Sequence, residues 1–154
     1  YGDIGNSDII KQKCRNVAKR CSVSHLLKRN FNTLSGGEQR RVHFARTLLQ
    51  IDHNYEIVGS RYMFLDEPTA NLDLSFELQL IQLLKLKSKE GIGVLLIIHD
   101  LNLASKFSDK IAILDKGKLR GFGAPSEVLK SKLLSDIFGL AMEVDPNTLR
   151  ISYY

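Results

Sequence analysis

Tyr62-Met63-Phe64-Leu65-Asp66-Glu67-Pro68 is the stretch on which the reading of this chain turns. Four apolar or aromatic residues in a row, without alternation, form the pattern of a strand buried on both faces of a parallel sheet. The run stops at two carboxylates and a proline. Downstream, Leu74 to Lys89 follows a helical pattern with Leu78, Ile81, Leu84 and Leu86 inward. Gly91 and Gly93 end it before a second apolar run, Val94 to Ile98. Strand, helix, strand predicts the α/β class, in which ligands gather at the carboxyl ends of strands. Asp66, Glu67, His99 and Asp100 stand at those ends.

Upstream, Ser35 is placed to cap a helix from Gly36 to about Ile51, with Val42, Ala45, Leu48 and Leu49 on its inner side. Ser7-Asp8 is placed to cap an earlier helix running to about Lys28. A polar connection over residues 52 to 60, with Asp52, Asn54, Gly59 and Ser60, leads into the first apolar run. Beyond the second run, the pattern gives a short helix over Asn102 to Phe107. It then gives strands at Ile111 to Leu114 and Lys118 to Phe122, turning at Lys116-Gly117. Pro125 opens another helix, Leu133 to Phe138 follows, and Glu143 to Tyr153 reads as a last hairpin turning at Asp145-Pro146-Asn147. No internal repeat, low-complexity tract or flexible linker interrupts the chain.

A chain of 154 residues with 44% hydrophobic and 25% charged residues sits with folded, soluble globular proteins, as one domain or part of one. Its longest apolar run, Val94 to Ile98, is far below the roughly 20 residues of a membrane-crossing helix. The start, Tyr1-Gly2-Asp3-Ile4-Gly5, has no initiator Met and no signal pattern, and reads as a truncated chain. Cys14 and Cys21 lie seven apart without a CxxC and read as small apolar residues on one helix face in a reducing compartment. Residues 1 to 50 hold ten Lys/Arg against three Asp/Glu, and residues 51 to 100 hold four against eight. That asymmetry invites a nucleic-acid reading. However, Lys11, Lys13, Arg15, Lys19 and Arg20 alternate with Ile10, Cys14, Val17, Ala18 and Cys21 at helical spacing, as on a solvated helix face. Aromatic interleaving, zinc-finger spacing and a helix-turn-helix signature are all missing, so no nucleic-acid partner is expected.

Three groups carry candidate chemistry. Leu34-Ser35-Gly36-Gly37-Glu38-Gln39 sets a hydroxyl and two glycines at a helix start, where free N–H groups and the helix dipole favour a phosphate. Taken alone, it also reads as an ordinary N-cap with Glu38 closing a capping box. Asp66-Glu67 at a strand end offers one carboxylate for Mg²⁺ and one to activate water, or a merely acidic helix start. His99 closes the second run, where an imidazole can hydrogen-bond a phosphate and hold water, and it is expected at the same sheet edge. His25, His43 and His53 read as structural.

Taken together and in order, these motifs resemble the ATP-binding subunits of ABC transporters. Leu34 to Gln39 is similar to that family's signature, Tyr62 to Glu67 to its Walker B strand, Asn71-Leu72-Asp73 to its D-loop, and His99 to its switch histidine. His99-Asp100-Leu101-Asn102-Leu103-Ala104 and Gly123-Ala124-Pro125-Ser126-Glu127-Val128-Leu129 resemble the iron-chelate, cobalamin and hemin importer group. The polar insertion at 52 to 60 resembles the hemin import subtype.

The resemblance implies the C-terminal part of an ABC-type P-loop ATPase domain, with residues 1–51 in the helical signature subdomain and 52–154 in the catalytic core. It implies a head-to-tail pair of subunits, in which Ser35, Gly36, Gly37 and Gln39 of one clamp the γ-phosphate of ATP held by the other, while Asp73 runs across the interface. Asp66 would help hold Mg²⁺, Glu67 would act as general base, and His99 would sense the γ-phosphate. The implied partners are a second ATPase subunit, transmembrane permease subunits contacted through residues 8 to 51, and indirectly a periplasmic substrate-binding protein. The implied location is the cytoplasmic face of the bacterial inner membrane.

The sequence departs from the family in holding no GxxxxGK[ST] loop, no adenine-stacking aromatic and no Gln loop. The chain alone is therefore expected to hydrolyse nothing, and to be poorly stable where apolar faces and edges lack cover. Ala70-Asn71 ahead of Leu72-Asp73 is a mild departure. Siderophore or cobalamin import, a soluble ABC protein of DNA repair or translation, and a non-catalytic degenerate partner are the alternatives to hemin import.

Overall fold

The computed structural model describes residues 4–53, 59–70 and 72–154. Most of the connection read at 52 to 60, Asn71 of the D-loop stretch, and the His53 side chain fall outside the described residues. The chain forms two compact units, residues 1–97 and 98–154.

The first unit begins with α1 (Ile4–Arg20) and, after 3₁₀ turns at Ser24–Leu26 and Phe31–Thr33, continues with α2 (Gly36–His53). Helix α1 departs from expectation at both ends. Ser7 and Asp8 lie inside it, where the Asp8 carboxylate pairs with Lys11 at 3.3 Å. It stops at Arg20, well short of Lys28, because Ser22 takes a left-handed conformation (φ 57°) and the Val23 N–H turns back onto the Ala18 carbonyl at 2.8 Å. The reversal buries Cys21, Val23 and Leu26 beside Val17 and Ala18. Lys11, Arg15 and Lys19 stay exposed, as a solvated face requires. In α2 the buried residues are Phe44 and Leu48, whereas Val42, Ala45 and Leu49 are only half-buried.

Strand β1 (Arg61–Asp66), helix α3 (Leu74–Lys89) and strand β2 (Ile92–Ile97) make a parallel crossover unit, with Arg61 opposite Ile92 and Asp66 opposite Ile97. Gly93 is required here, because the Tyr62 ring lies across it and leaves no room for a Cβ. The expectation of burial on both faces fails. Met63 is 3% exposed, whereas Tyr62 and Phe64 are 63% and 71% exposed, and Leu95 and Ile97 are also open. An unalternating apolar run reports what a strand prefers on each face, and among the described residues only one face is covered.

Helix α3 buries Phe76, Leu80, Ile81, Leu84 and Lys87, while Leu78 is half-buried and Leu86 exposed. Lys87 is therefore the charged member of an otherwise apolar stripe. Its ammonium donates to Asp52 Oδ1 at 2.6 Å and to Glu90 Oε2 at 2.7 Å. Arg20 approaches Asp52 from α1 at 3.8 Å, so the cluster ties α1, α2 and α3 together at one end.

In the second unit, α4 (Leu101–Phe107) precedes the antiparallel hairpin of β3 (Ile111–Asp115) and β4 (Lys118–Gly123). Lys116 and Gly117 turn it with φ of 48° and 73°, the primed geometry that suits strand twist. Helices α5 (Pro125–Val128) and α6 (Ser131–Phe138) lead to the last hairpin, β5 (Met142–Val144) with β6 (Ile151–Tyr153). Ala104, Ile111, Ile113, Val128, Leu129, Leu134, Met142 and Ile151 form one core. Asp145 anchors the last turn by accepting from the Asn147 and Thr148 N–H groups at 2.9 and 2.7 Å, which holds its carboxyl below the usual range.

Neither cysteine is in a disulfide. Burial pushes the Cys21 thiol up to about 11, against the opposing pull of the Arg20 charge. The Lys87 ammonium is also raised: burial, the largest single influence, lowers it, but the bonds and charges of Asp52 and Glu90 together outweigh that. Both groups hold their protons more tightly in the folded state than in the unfolded one. The Cys21 contribution is thus full below about pH 9 and lost as pH rises towards about 11. Urea midpoints measured across that window should fall, and Cys21→Ala should flatten the slope. At pH 7, Lys87→Ala should cost about 3 kcal/mol in urea unfolding, because it removes two charge-assisted hydrogen bonds and leaves the half-buried Asp52 to the more distant Arg20.

Candidate active site

Strand β1 delivers Asp66 and Glu67 to its carboxyl end, both exposed. Glu67 is strained: its φ of 44° is left-handed, a region that costs a non-glycine residue on the order of 1 kcal/mol. Its N–H donates to the Ile97 carbonyl at 2.9 Å, and its carbonyl accepts the Ala70 N–H at 3.2 Å. The end of β2 thus grips the Glu67 backbone while the chain turns away through Pro68 and Thr69. No group of three or more His, Cys, Asp or Glu among the described residues forms a metal cage. One exposed carboxylate, Asp66, fits a Mg²⁺ ion that takes its remaining ligands from phosphate and water.

The start of α2 is a capping box. The Ser35 N–H donates to Glu38 Oε2 at 2.8 Å, and the Glu38 N–H donates to Ser35 Oγ at 3.3 Å. These bonds hold the Glu38 carboxyl below the usual range, assisted by the Arg29 and His25 charges. Ser35 and Gly36 are exposed, and a side chain added at Gly36 would meet open space. Gln39 is half-buried and donates to the Leu34 carbonyl at 3.2 Å, and Gly37 is half-buried beside it.

A cleft of about 420 Å³ joins the two elements, lined by Arg40, His43, Phe44 and Thr47 of α2 and by Leu65 to Pro68. Ser35, Gly36, Gly37 and Gln39 are not among the residues that line it. Asp73 is the N-cap of α3, accepting the Phe76 N–H at 2.9 Å, and it is paired with Arg41. The backbone bond, with Arg41 beside it, holds its carboxyl below the usual range.

His99 belongs to the second unit, exposed, just before Asp100, which caps α4 by accepting the Asn102 and Leu103 N–H groups at 2.8 and 2.9 Å. His25 lies 4.0 Å from Glu38, and His43 meets Phe31 edge to face at 5.0 Å. Sequence reasoning passed over Arg40 and Arg41, which reach from α2 to the loop after Glu67. The available signal was Arg41, a cation on the stripe it shares with Phe44 and Leu48.

No protein-family model matches the chain. It is 41% identical over 123 residues to a hemin import ATP-binding protein of Rhodopseudomonas palustris, covering 80% of this chain and 46% of that protein. It is 36% identical over 134 residues to the corresponding protein of Aliivibrio fischeri, covering 87% and 50%. Among solved structures, a metal-chelate type ABC transporter in an inward-facing conformation matches with a TM-score of 0.70 at 25% identity, covering 93% of this chain and 55% of that one. The cbiO1 protein of Clostridium perfringens, part of the ABC transporter complex cbiONQ, matches with a TM-score of 0.61 at 27% identity, covering 84% and 49%. The chain spans about half the length of the relatives it matches. With its motifs in family order and its fold shared with these structures, the chain belongs to the ATP-binding subunits of ABC transporters.

Proposed function

We propose that this chain supplies the signature, Walker B, D-loop and switch segments of an ATPase that drives hemin import. The observation that carries the reading is Glu67, exposed at the end of β1 and held in a left-handed conformation by its bond to Ile97. Strain of this kind persists where a side chain must be aimed. The names of the similar proteins support hemin as the cargo.

In this reading the Glu67 carboxylate takes the proton of the attacking water, and the Nε2 or Nδ1 of His99 hydrogen-bonds the γ-phosphate. The N–H groups and Ser35 hydroxyl at the α2 start receive the γ-phosphate of ATP held by a second subunit, where the helix dipole favours anions. That assignment suits signature residues that do not line their own chain's cleft. Gln39 braces the signature turn, Asp73 meets the partner subunit, and Asp66 takes the Mg²⁺. The ion, when bound, neutralises charge building on the phosphates.

The bare apolar face carrying Tyr62, Phe64, Leu95 and Ile97 is where further strands and helices of the ATPase domain pack, since parallel sheets are covered on both faces. The phosphate loop belongs to that remainder, so residues 1–154 alone hydrolyse no ATP. Among the described residues no helix is long and apolar enough to cross a membrane. We assign the protein to the cytoplasmic face of the inner membrane, docked through its helical segment on permease subunits that receive hemin from a periplasmic binding protein.

In the full-length protein, Glu67→Gln should lower ATP hydrolysis at least about 100-fold while leaving ATP binding within a few-fold. Retained hydrolysis would remove Glu67 as the base. In the reconstituted transporter, hydrolysis should be stimulated by the hemin-loaded binding protein. Stimulation by a siderophore or cobalamin carrier instead would keep the ATPase and change the cargo.

A further inference from the structure

We infer that Arg40 and Arg41 are positioning residues that clamp the Glu67 loop onto the signature helix, so that contact with phosphate at the start of α2 and the placing of Glu67 are mechanically one event. The inference rests on the proposed role of Glu67. Arg40 Nη1 donates to the Ala70 carbonyl, and the Ala70 N–H donates in turn to the Glu67 carbonyl at 3.2 Å. Arg41 pairs with Asp73, and its guanidinium lies over the Phe76 ring, 4.4 Å from the centroid. Asp73 in turn accepts the Phe76 N–H at 2.9 Å.

Phe76 is 2% exposed, so the Arg41 contact is fixed to the core and not to a mobile surface chain. The guanidinium fork is suited to binding a carboxylate and an aromatic face at once, which a lysine ammonium does less well. Both arginines sit in the first turns of α2, directly after Gln39. A helix is stiff over that distance, so a displacement of its N-terminus carries the loop with it. The Glu67 N–H on Ile97 and the Leu72 N–H on Thr69 at 3.2 Å also hold the loop.

The test uses the full-length protein, with Arg41→Ala, Arg40→Ala and Arg41→Lys read by steady-state ATP hydrolysis and by amide hydrogen exchange. Arg41→Ala is expected to lower kcat about 10- to 100-fold with the KM for ATP within about twofold. Exchange should rise about tenfold at residues 67–73 and stay unchanged through α1 and α2. Arg40→Ala should show the same pattern, and Arg41→Lys should recover part of kcat. Unchanged exchange at 67–73, or raised exchange there with kcat unaltered, overturns the inference. Exchange raised throughout residues 8–97 with loss of ATP binding also overturns it, because the arginines would then serve only stability. Should Glu67→Gln leave hydrolysis intact, the reading of Glu67 fails instead, and exchange at 67–73 still decides whether the clamp exists.

Discussion

The N–H of Glu67 on the carbonyl of Ile97 is the contact through which the rest of the first unit acts. It closes the parallel pair of β1 and β2 at its carboxyl end and holds a glutamate in a backbone conformation that glycine usually occupies. Everything around it serves that turn. The crossover helix α3 fixes the register of the two strands, Gly93 lets Tyr62 lie across the pair, and Asp73 starts α3 immediately after the loop. Energetically, the strain at one residue is offset by caps and hydrogen bonds each contributing about 1 kcal/mol.

The organisation of the first unit is also electrostatic. At one end of the three helices, Lys87 is buried between Asp52 and Glu90; at the other, Arg41 lies between Asp73 and Phe76. A buried pair of this kind adds little stability relative to apolar packing of the same shape, but removing one partner is costly. The likeness in fold to the metal-chelate type transporter fits this picture, since a shared fold at 25% identity leaves side-chain chemistry to set the local geometry.

Much of this was legible in the sequence. The β1–α3–β2 unit followed from two apolar runs and the glycines between them, and the capping box followed from Ser35 and Glu38 three residues apart. The misreadings have specific causes. Helix α3 has leucines all round, so apolar period could not choose between Leu86 and Leu80, and a lysine on the buried stripe is invisible to an apolar pattern. The end of α1 was hidden because Ser22, not a glycine, takes the left-handed position while Cys21 continues the helical pattern. The cover of β1 could not be read at all, since residue type reports what a face prefers and not what lies against it. Arg40 and Arg41 were missed because their partners, Ala70 and Asp73, are joined to them by tertiary packing alone.

The central claim is that the signature of one subunit and the Glu67 of another complete a single site. Mixed-subunit complementation tests it most directly, with full-length Ser35→Arg and Glu67→Gln subunits assayed separately and together for ATP hydrolysis. Each alone should be inactive. In a mixed dimer one site would pair an intact signature with an intact Glu67, so the account predicts that mixing restores a substantial part of the activity. Mixed dimers that form and stay inactive would show that Ser35 and Glu67 act within one chain, contradicting the account.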